Sequence, residues 1–174
     1  MRIRHLPTPR GPGWPARAGG AVLLLALAGC ASDPARLPTG LTRAQALERL
    51  GPPTATYPLP DGERLQYSRE PAGQQVFNVD IDASGQVRSV EQVLDEDLFA
   101  QTIQVDRWRE ADVLREFGPP AEISRVHSFN GVVWTWRLRQ VTLDRLLHIF
   151  IDRSGTVRRY QVTDEQRRGW VDRP

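Results

Sequence analysis

The segment "LERLGPPTA", residues 47–55, returns 67 positions later as "LREFGPPAE", residues 114–122. Glycine just past a helix followed by proline is an ordinary stop, because glycine takes the left-handed conformation that closes the last turn and proline cannot continue it. One copy would mark only a helix end. Two copies predict a repeated unit, and the comparison extends outward from the glycines. "RAQALERLGPP" (43–53) lies over "EADVLREFGPP" (110–120), and Ala44, Leu47 and Leu50 match Ala111, Leu114 and Phe117. A spacing of three makes one apolar stripe along a helix, which something must cover.

The residues that follow supply the cover. Asp61-Gly62 aligns with Asn130-Gly131, Tyr67 with Trp136, and "DIDASGQV" (80–87) with "FIDRSGTV" (150–157). Asp-Gly and Asn-Gly between alternating segments predict tight hairpins, since both central residues of the favoured turn need positive φ. Leu65 and Tyr67, then Phe77, Val79 and Ile81, then Leu147, Ile149 and Ile151 alternate with their neighbours. Period two predicts antiparallel sheets wet on one face and covered by the helix on the other. "EDLFAQTI" (96–103) predicts an extra leading helix in the second unit, and Thr42 stands where it can cap the first. The expected fold class is α+β, with two tandem units over 40–94 and 95–166. Each is one or two helices on a three- to four-stranded antiparallel sheet, and residues 167–174 form a tail.

The first thirty residues read differently. Arg2, Arg4, Arg10 and Arg17 precede a short apolar core, Ala21 to Ala28, and then "LAGC", Leu27 to Cys30. A permanent membrane helix needs about 20 apolar residues, so residues 1–29 read as a signal peptide. "LAGC" resembles the lipobox of bacterial lipoproteins: small Ala28 and Gly29 let an extended backbone enter the peptidase, and Cys30 supplies the thiol. The resemblance implies cleavage before Cys30 and its acylation. Cys30 is the only cysteine, so no disulfide within the chain competes for it. Several acyl chains, at about 0.8 kcal/mol per buried methylene, make such an anchor effectively permanent. Ala31 rather than Asp follows the cysteine, which by the same resemblance favours the outer membrane. "ASDPARLPT" (31–39) is proline-rich and poor in apolar residues, so 30–39 reads as the lipidated cysteine and a flexible tether.

Composition bounds the partners. With 40% apolar and 25% charged residues the chain folds. Its formal charge is +2, but the four arginines before Cys30 face no acid, and after it 19 Arg meet 21 Asp plus Glu. The mature chain is slightly acidic, so nucleic acid is not an expected partner.

Candidate chemistry is sparse. "DIDASGQVRSVE" (80–91) fits a calcium-binding EF-hand loop, with Asp80, Asp82, Ser84, Gly85, Val87 and Glu91 in place. That loop needs a helix on each side, whereas the flanks here alternate as strands, so a hairpin whose Asp side chain bonds its own turn is expected instead. His127 and His148 have no cysteine or histidine at ligand spacing, so a structural zinc site is not expected. Asp144 and His148 fall on one face of strand-like sequence, which reads as a surface pair. No cofactor, metal or catalytic set is expected. Trp134 and Trp136 alternate, with Arg137 and Arg139 in the opposite phase. On a covered face the tryptophans would be core; on an open face they would form a partner-binding hot spot, with Trp108 and Tyr67 as further candidates.

Residues 39–87 resemble the SmpA/OmlA/BamE lipoproteins, whose pattern is Gly-x-Thr into a helix, Leu-Gly-x-Pro, an aromatic in a strand, then an alternating strand and a Gly turn. Gly40, Thr42, Leu50, Gly51, Pro53, Tyr67 and Gly85 fit, while the second copy keeps the glycine and prolines without the leading Gly-x-Thr. As a tandem pair the chain is similar in architecture to the β-lactamase-inhibitor protein, whose two units present a concave sheet. The resemblance implies an outer-membrane lipoprotein facing the periplasm, anchored through Cys30. Its role would be a binding or scaffold module in outer membrane assembly or envelope maintenance, with β-barrel assembly components as the partner. The alternative is an inhibitor that lays its sheet over a periplasmic hydrolase.

Overall fold

A computed structural model describes residues 33–166; the expected signal peptide, Cys30 and the expected tail over 167–174 lie outside the described residues. A short 3-10 turn, Pro34–Arg36, leads into α1 (Arg43–Leu50), β1 (Ala55–Leu59), β2 (Gly62–Ser68), β3 (Val76–Asp82) and β4 (Val87–Gln92). Then come α2 (Glu96–Thr102), α3 (Glu110–Phe117), β5 (Glu122–Ser124), β6 (Gly131–Gln140), β7 (Leu143–Asp152) and β8 (Val157–Asp164). The strands form two four-stranded antiparallel meanders, β1-β2-β3-β4 and β5-β6-β7-β8. The expected α+β class, two sheets and extra helix α2 are all present.

The repeat is visible in the backbone bonds. Gly40 N–H donates to Val87 O at 2.8 Å, Val87 N–H to Leu41 O at 2.7 Å and Arg43 N–H to Gly85 O at 2.9 Å. In the second unit Asp106 N–H donates to Val157 O at 2.8 Å, Val157 N–H to Trp108 O at 3.0 Å and Glu110 N–H to Gly155 O at 3.2 Å. Each helix is thus stitched by its entry segment to the last hairpin of its own sheet. Thr42 caps α1 in a capping box with Gln45, and in α3 the Asp112 carboxylate accepts from Arg109 N–H at 2.8 Å. Gly51 and Gly118 end the helices at φ 77° and 69°, as the Gly-Pro-Pro reading requires.

Four local expectations are corrected. The buried stripe is Ala46 and Leu50 on α1 and Val113 and Phe117 on α3, a spacing of four; Ala44 and Ala111 face solvent. Gly62 is not a central turn residue, because Leu59 pairs with Gly62 and leaves Pro60 and Asp61 as the loop. Asn130-Gly131 closes a six-residue connection, 125–130, rather than a tight turn. What the two glycines share is crowding: a Cβ on Gly62 would stand 1.9 Å from Ile81 O, and one on Gly131 2.1 Å from Ile151 O. Finally, the segment expected as free tether is packed from Pro34 onward, with Pro34 buried and Leu37 8% exposed in the first core.

The cores are unequal. The first gathers Ala46, Leu50, Leu65, Tyr67, Phe77, Val79 and Ile81 between α1 and its sheet. The second joins Phe99, Val113, Phe117, Trp134, Trp136 and Ile149, and draws in Val76, Val93 and Leu94 from the first unit's sheet and its exit.

Candidate functional site

Strand alternation in β2 sends Leu65 and Tyr67 toward α1, so Arg64 and Gln66 point the other way, opposite Asp80 and Asn78 of β3. This face was expected to be wet. Instead the C-terminal end of α3 sits on it, and Gln66, Asn78 and Asp80 are 0%, 2% and 8% exposed. The last turn of a helix leaves carbonyls without partners at the negative end of its dipole, so donors and a cation stabilise it. Gln66 Nε2 donates to Leu114 O at 3.3 Å and Arg115 O at 3.2 Å, and Asn78 Nδ2 to Glu116 O at 2.9 Å. Arg64 forks onto Asp80 at 2.7 and 3.1 Å and reaches the Glu116 carboxylate at 2.6 Å. Burial works to lower the Arg64 pKa, but Asp80 and Glu116 together more than reverse it and hold it above its ordinary value. Burial pushes Glu116 up, against the pull of Arg64. This cluster is a junction between units, with its polar groups turned inward.

The exposed candidate is the other face of the second sheet. There Thr135, Arg137 and Arg139 of β6 lie beside His148, Leu146 and Asp144 of β7 and Gln161 and Thr163 of β8. A cleft of about 650 Å³ runs along it, walled by Pro71, Glu122, Thr135, Arg137, Leu146 and Thr163. His148 is held between two hydroxyls, Thr135 on Nδ1 and Thr163 on Nε2, both at 2.9 Å. Burial lowers its pKa, which keeps the imidazole neutral near pH 7, one nitrogen donating and the other accepting. Arg137 forks onto Glu165 at 2.9 and 3.2 Å.

One residue of the first unit completes this face. Strand β5 starts after Pro119 and Pro120, which have no N–H, so its pairing with β6 stops at Thr135. The next N–H on that edge, from Arg137, is accepted at 2.8 Å by the Glu70 carboxylate. Glu70 therefore stands in for a missing strand. Burial, reinforced by Glu165, pushes its pKa up to about 7 even though the Arg137 N–H and guanidinium pull the other way. Its second oxygen is buried without a hydrogen-bond partner.

The sequence candidates land elsewhere. Trp134 and Trp136 are 7% and 0% exposed on the covered face, and Trp136 rests 5.9 Å from Phe117, ring to ring. Tyr67 is 9% exposed, with its hydroxyl donating to Gly51 O at 3.1 Å, and Trp108 packs half-buried against Phe117. These side chains are occupied in packing, so the core alternative holds and the aromatic hot spot is not assembled. Asp144 and His148 share a face, but Arg139 and Gln74 take up the carboxylate while the two threonines take up the ring. The calcium-like loop is a hairpin turn: Asp82 Oδ1 accepts from Ser84 N–H, Ser84 Oγ–H and Gln86 N–H, and Asp152 repeats the pattern. Those bonds, led by the serine hydroxyls, hold both carboxylates below their usual range. Among the described residues no group of three or more His, Cys, Asp or Glu is placed to hold a metal.

Fold and site together define an α+β protein of two like helix-on-sheet units, joined through a buried polar junction and exposing one polar sheet face. No protein-family model matches the chain, and no curated protein matches it. A solved structure of a DUF4309 family protein (YjgB) from Bacillus subtilis subsp. subtilis str. 168 is similar at 11% identity over 71% of this chain and 78% of that one. Its TM-score of 0.30 is too low to support a conclusion about fold or function.

Proposed function

We propose that this protein is a lipid-anchored, non-catalytic binding module of the bacterial envelope, built from two SmpA/OmlA/BamE-like units and held at the outer membrane through Cys30. The observation that carries the reading is the adjacency of two signals. The lipobox-like "LAGC" ends at Cys30, and the packed fold starts at Pro34. The anchor confines the domain to the membrane surface and raises its effective concentration for a membrane-embedded partner, for which β-barrel assembly components are the expected class. The inhibitor reading needs an aromatic surface spanning both units, and Tyr67, Trp134 and Trp136 lie in the cores.

The test is metabolic labelling with palmitate, together with crosslinking of the native protein in membranes. Label in the wild type and none in Cys30→Ser, with barrel-assembly proteins among the crosslinked products, supports the proposal. A Cys30→Ser protein that is still labelled and still sediments with membranes removes the anchor. Crosslinking to a soluble hydrolase alone removes the scaffold role.

A further inference from the structure

We propose that the end of the molecule formed by the start of the fold, the 69–75 loop and the β6–β7 hairpin tip lies on a phospholipid surface, with Val141 and Leu143 entering the interfacial layer. This deepens the anchor reading and rests on it.

The first observation is length. Three peptide units separate Cys30 from Asp33, and a fully extended chain reaches only about 3.3–3.6 Å per residue, so Asp33 cannot stand more than about 11 Å from an acylated Cys30. The headgroup layer is itself roughly 5–8 Å deep on each side of a bilayer. Asp33 is bonded to Arg69 at 3.3 Å, and Pro34 and Leu37 are packed, so the fold cannot pay out more chain. An acylated protein is therefore pressed to the membrane by its Asp33 end.

The second observation is what else this end carries. Arg69, the partner of Asp33, also lines with Gln74, Arg139 and Val141 a cavity of about 450 Å³ between the 69–75 loop and the hairpin. The hairpin tip is thus on the same end as the leash. At that tip Val141 is 87% exposed and Leu143 58%, the first the most exposed large apolar side chain among the described residues. Val141 has φ 54°, a conformation that a β-branched residue adopts at a cost and that glycine or asparagine would take readily. Turn chemistry does not explain a valine there; an apolar contact for its side chain does.

The charges around the apolar tip are mixed and largely paired: Arg145 of β7 bridges Glu96 and Asp164, and Glu165 N–H donates to Asp144 O at 2.9 Å. Asp33 and Asp144 are matched by Arg69 and Arg139, whose side chains stay 46% and 55% exposed. Arg36 is exposed on the 3-10 turn beside them, and Asp97 stands at the far flank of the hairpin, bonded to Gln140. Long cationic side chains hold their heads at phosphate level while shorter apolar neighbours go deeper. The opposite end, with the Asp82 and Asp152 turns, is one strand length away and faces the periplasm.

The test uses the full lipoprotein in vesicles of phosphatidylcholine and phosphatidylglycerol. With Cys30 acylated, a single introduced cysteine is the only free thiol, so nitroxide labels go to Val141→Cys and Leu143→Cys, and to exposed Ala83→Cys and Arg153→Cys as controls. The expected result is severalfold higher accessibility to membrane-dissolved oxygen, relative to an aqueous nickel reagent, at 141 and 143 than at 83 and 153. The exposed-site variant V141D/L143D, labelled through Thr142→Cys, should lose that difference while its melting temperature stays unchanged. Equal, water-like accessibility at all four sites overturns the proposal, as does self-association that V141D/L143D abolishes while depth is unaffected. Mass spectrometry of Cys30 separates the two readings. If the thiol is unmodified the anchor fails, and water-like labels on that protein with added vesicles then overturn the docking surface on their own.

Discussion

Arg64 holds two carboxylates in a place where only 13% of its side chain meets water. Taking it away leaves Glu116 without its cation and Asp80 with only Arg88 at 3.5 Å, with the end of α3 adding its own negative pole. Removing one partner of a buried pair costs about 3–5 kcal/mol, chiefly because the remaining charge is stranded. Arg64→Met should lose stability of that order in urea unfolding at pH 7, and part of the loss should return at pH 4 as Glu116, which burial already pushes up, protonates. Glu70 gives the opposite sign. Its pKa rises from an ordinary 4.5 to about 7 in the fold, so the fold prefers the protonated form. The stability it contributes is fully present below pH 4.5 and is lost as pH climbs through 7. Glu70→Gln keeps an oxygen to accept the Arg137 N–H and removes the ionisation. Thermal melts from pH 4.5 to 8 should show the variant equal to wild type at the acid end, more stable at pH 8, and flatter between. A wild-type profile without that slope would mean that the pull of Arg137 offsets burial and leaves Glu70 unshifted.

At the scale of elements, glycines that look alike in the sequence do different jobs. Gly62 and Gly131 open their strands against the carbonyls of Ile81 and Ile151, leaving no space for a methyl group. Gly85 and Gly155 sit in the hairpin turns at φ 79° and 76° with open space or ordinary contact around them. Gly131→Ala must push β7 away from β6 and should cost several kcal/mol or prevent folding. Gly85→Ala meets only left-handed strain, about 1–2 kcal/mol. Expression and urea midpoints of the two variants measure the contrast. The repeated Gly-Pro-Pro, the capping Thr42, the strand phases and the Asp-x-Ser-Gly turns were legible because each acts through its own neighbours. The Gly62 and Gly131 roles were not, since a clash with a strand some 20 residues away leaves no local pattern. The helix stripe was misplaced at its first member, by two positions, for a related reason: alanine is apolar enough to complete a count, and Ala44 and Ala46 are separated only by where the sheet lies.

At the scale of the molecule the main surprise is that the first sheet has no wet central face. Polar Arg64, Gln66, Asn78 and Asp80 in alternating phase read as a solvated surface, and the sequence carries no mark that another unit's helix end covers them. Glu70 was hidden the same way, its partner being a backbone N–H in the other unit. The consequence is thermodynamic coupling. The second core takes Val76, Val93 and Leu94 from the first unit, the Arg115 and Glu116 carbonyls at the end of α3 accept from donors on β2 and β3, and the Arg137 N–H depends on Glu70. A unit separated from its neighbour would expose apolar core to water and exchange the junction's hydrogen bonds for bonds to water, a net loss of about 0.5–1.5 kcal/mol for each bond. The two units should therefore unfold as one. Calorimetry of the mature chain should give a single transition with calorimetric and van't Hoff enthalpies equal, and Arg64→Met should lower that one transition rather than split it. The fragment 95–166 should lack fixed side-chain order, seen as collapsed methyl dispersion in its proton spectrum. Two resolved transitions, or a well-dispersed isolated fragment, would show that the junction is a contact between independent domains. In that case the buried polar face of the first sheet would itself become a surface able to open and receive a partner.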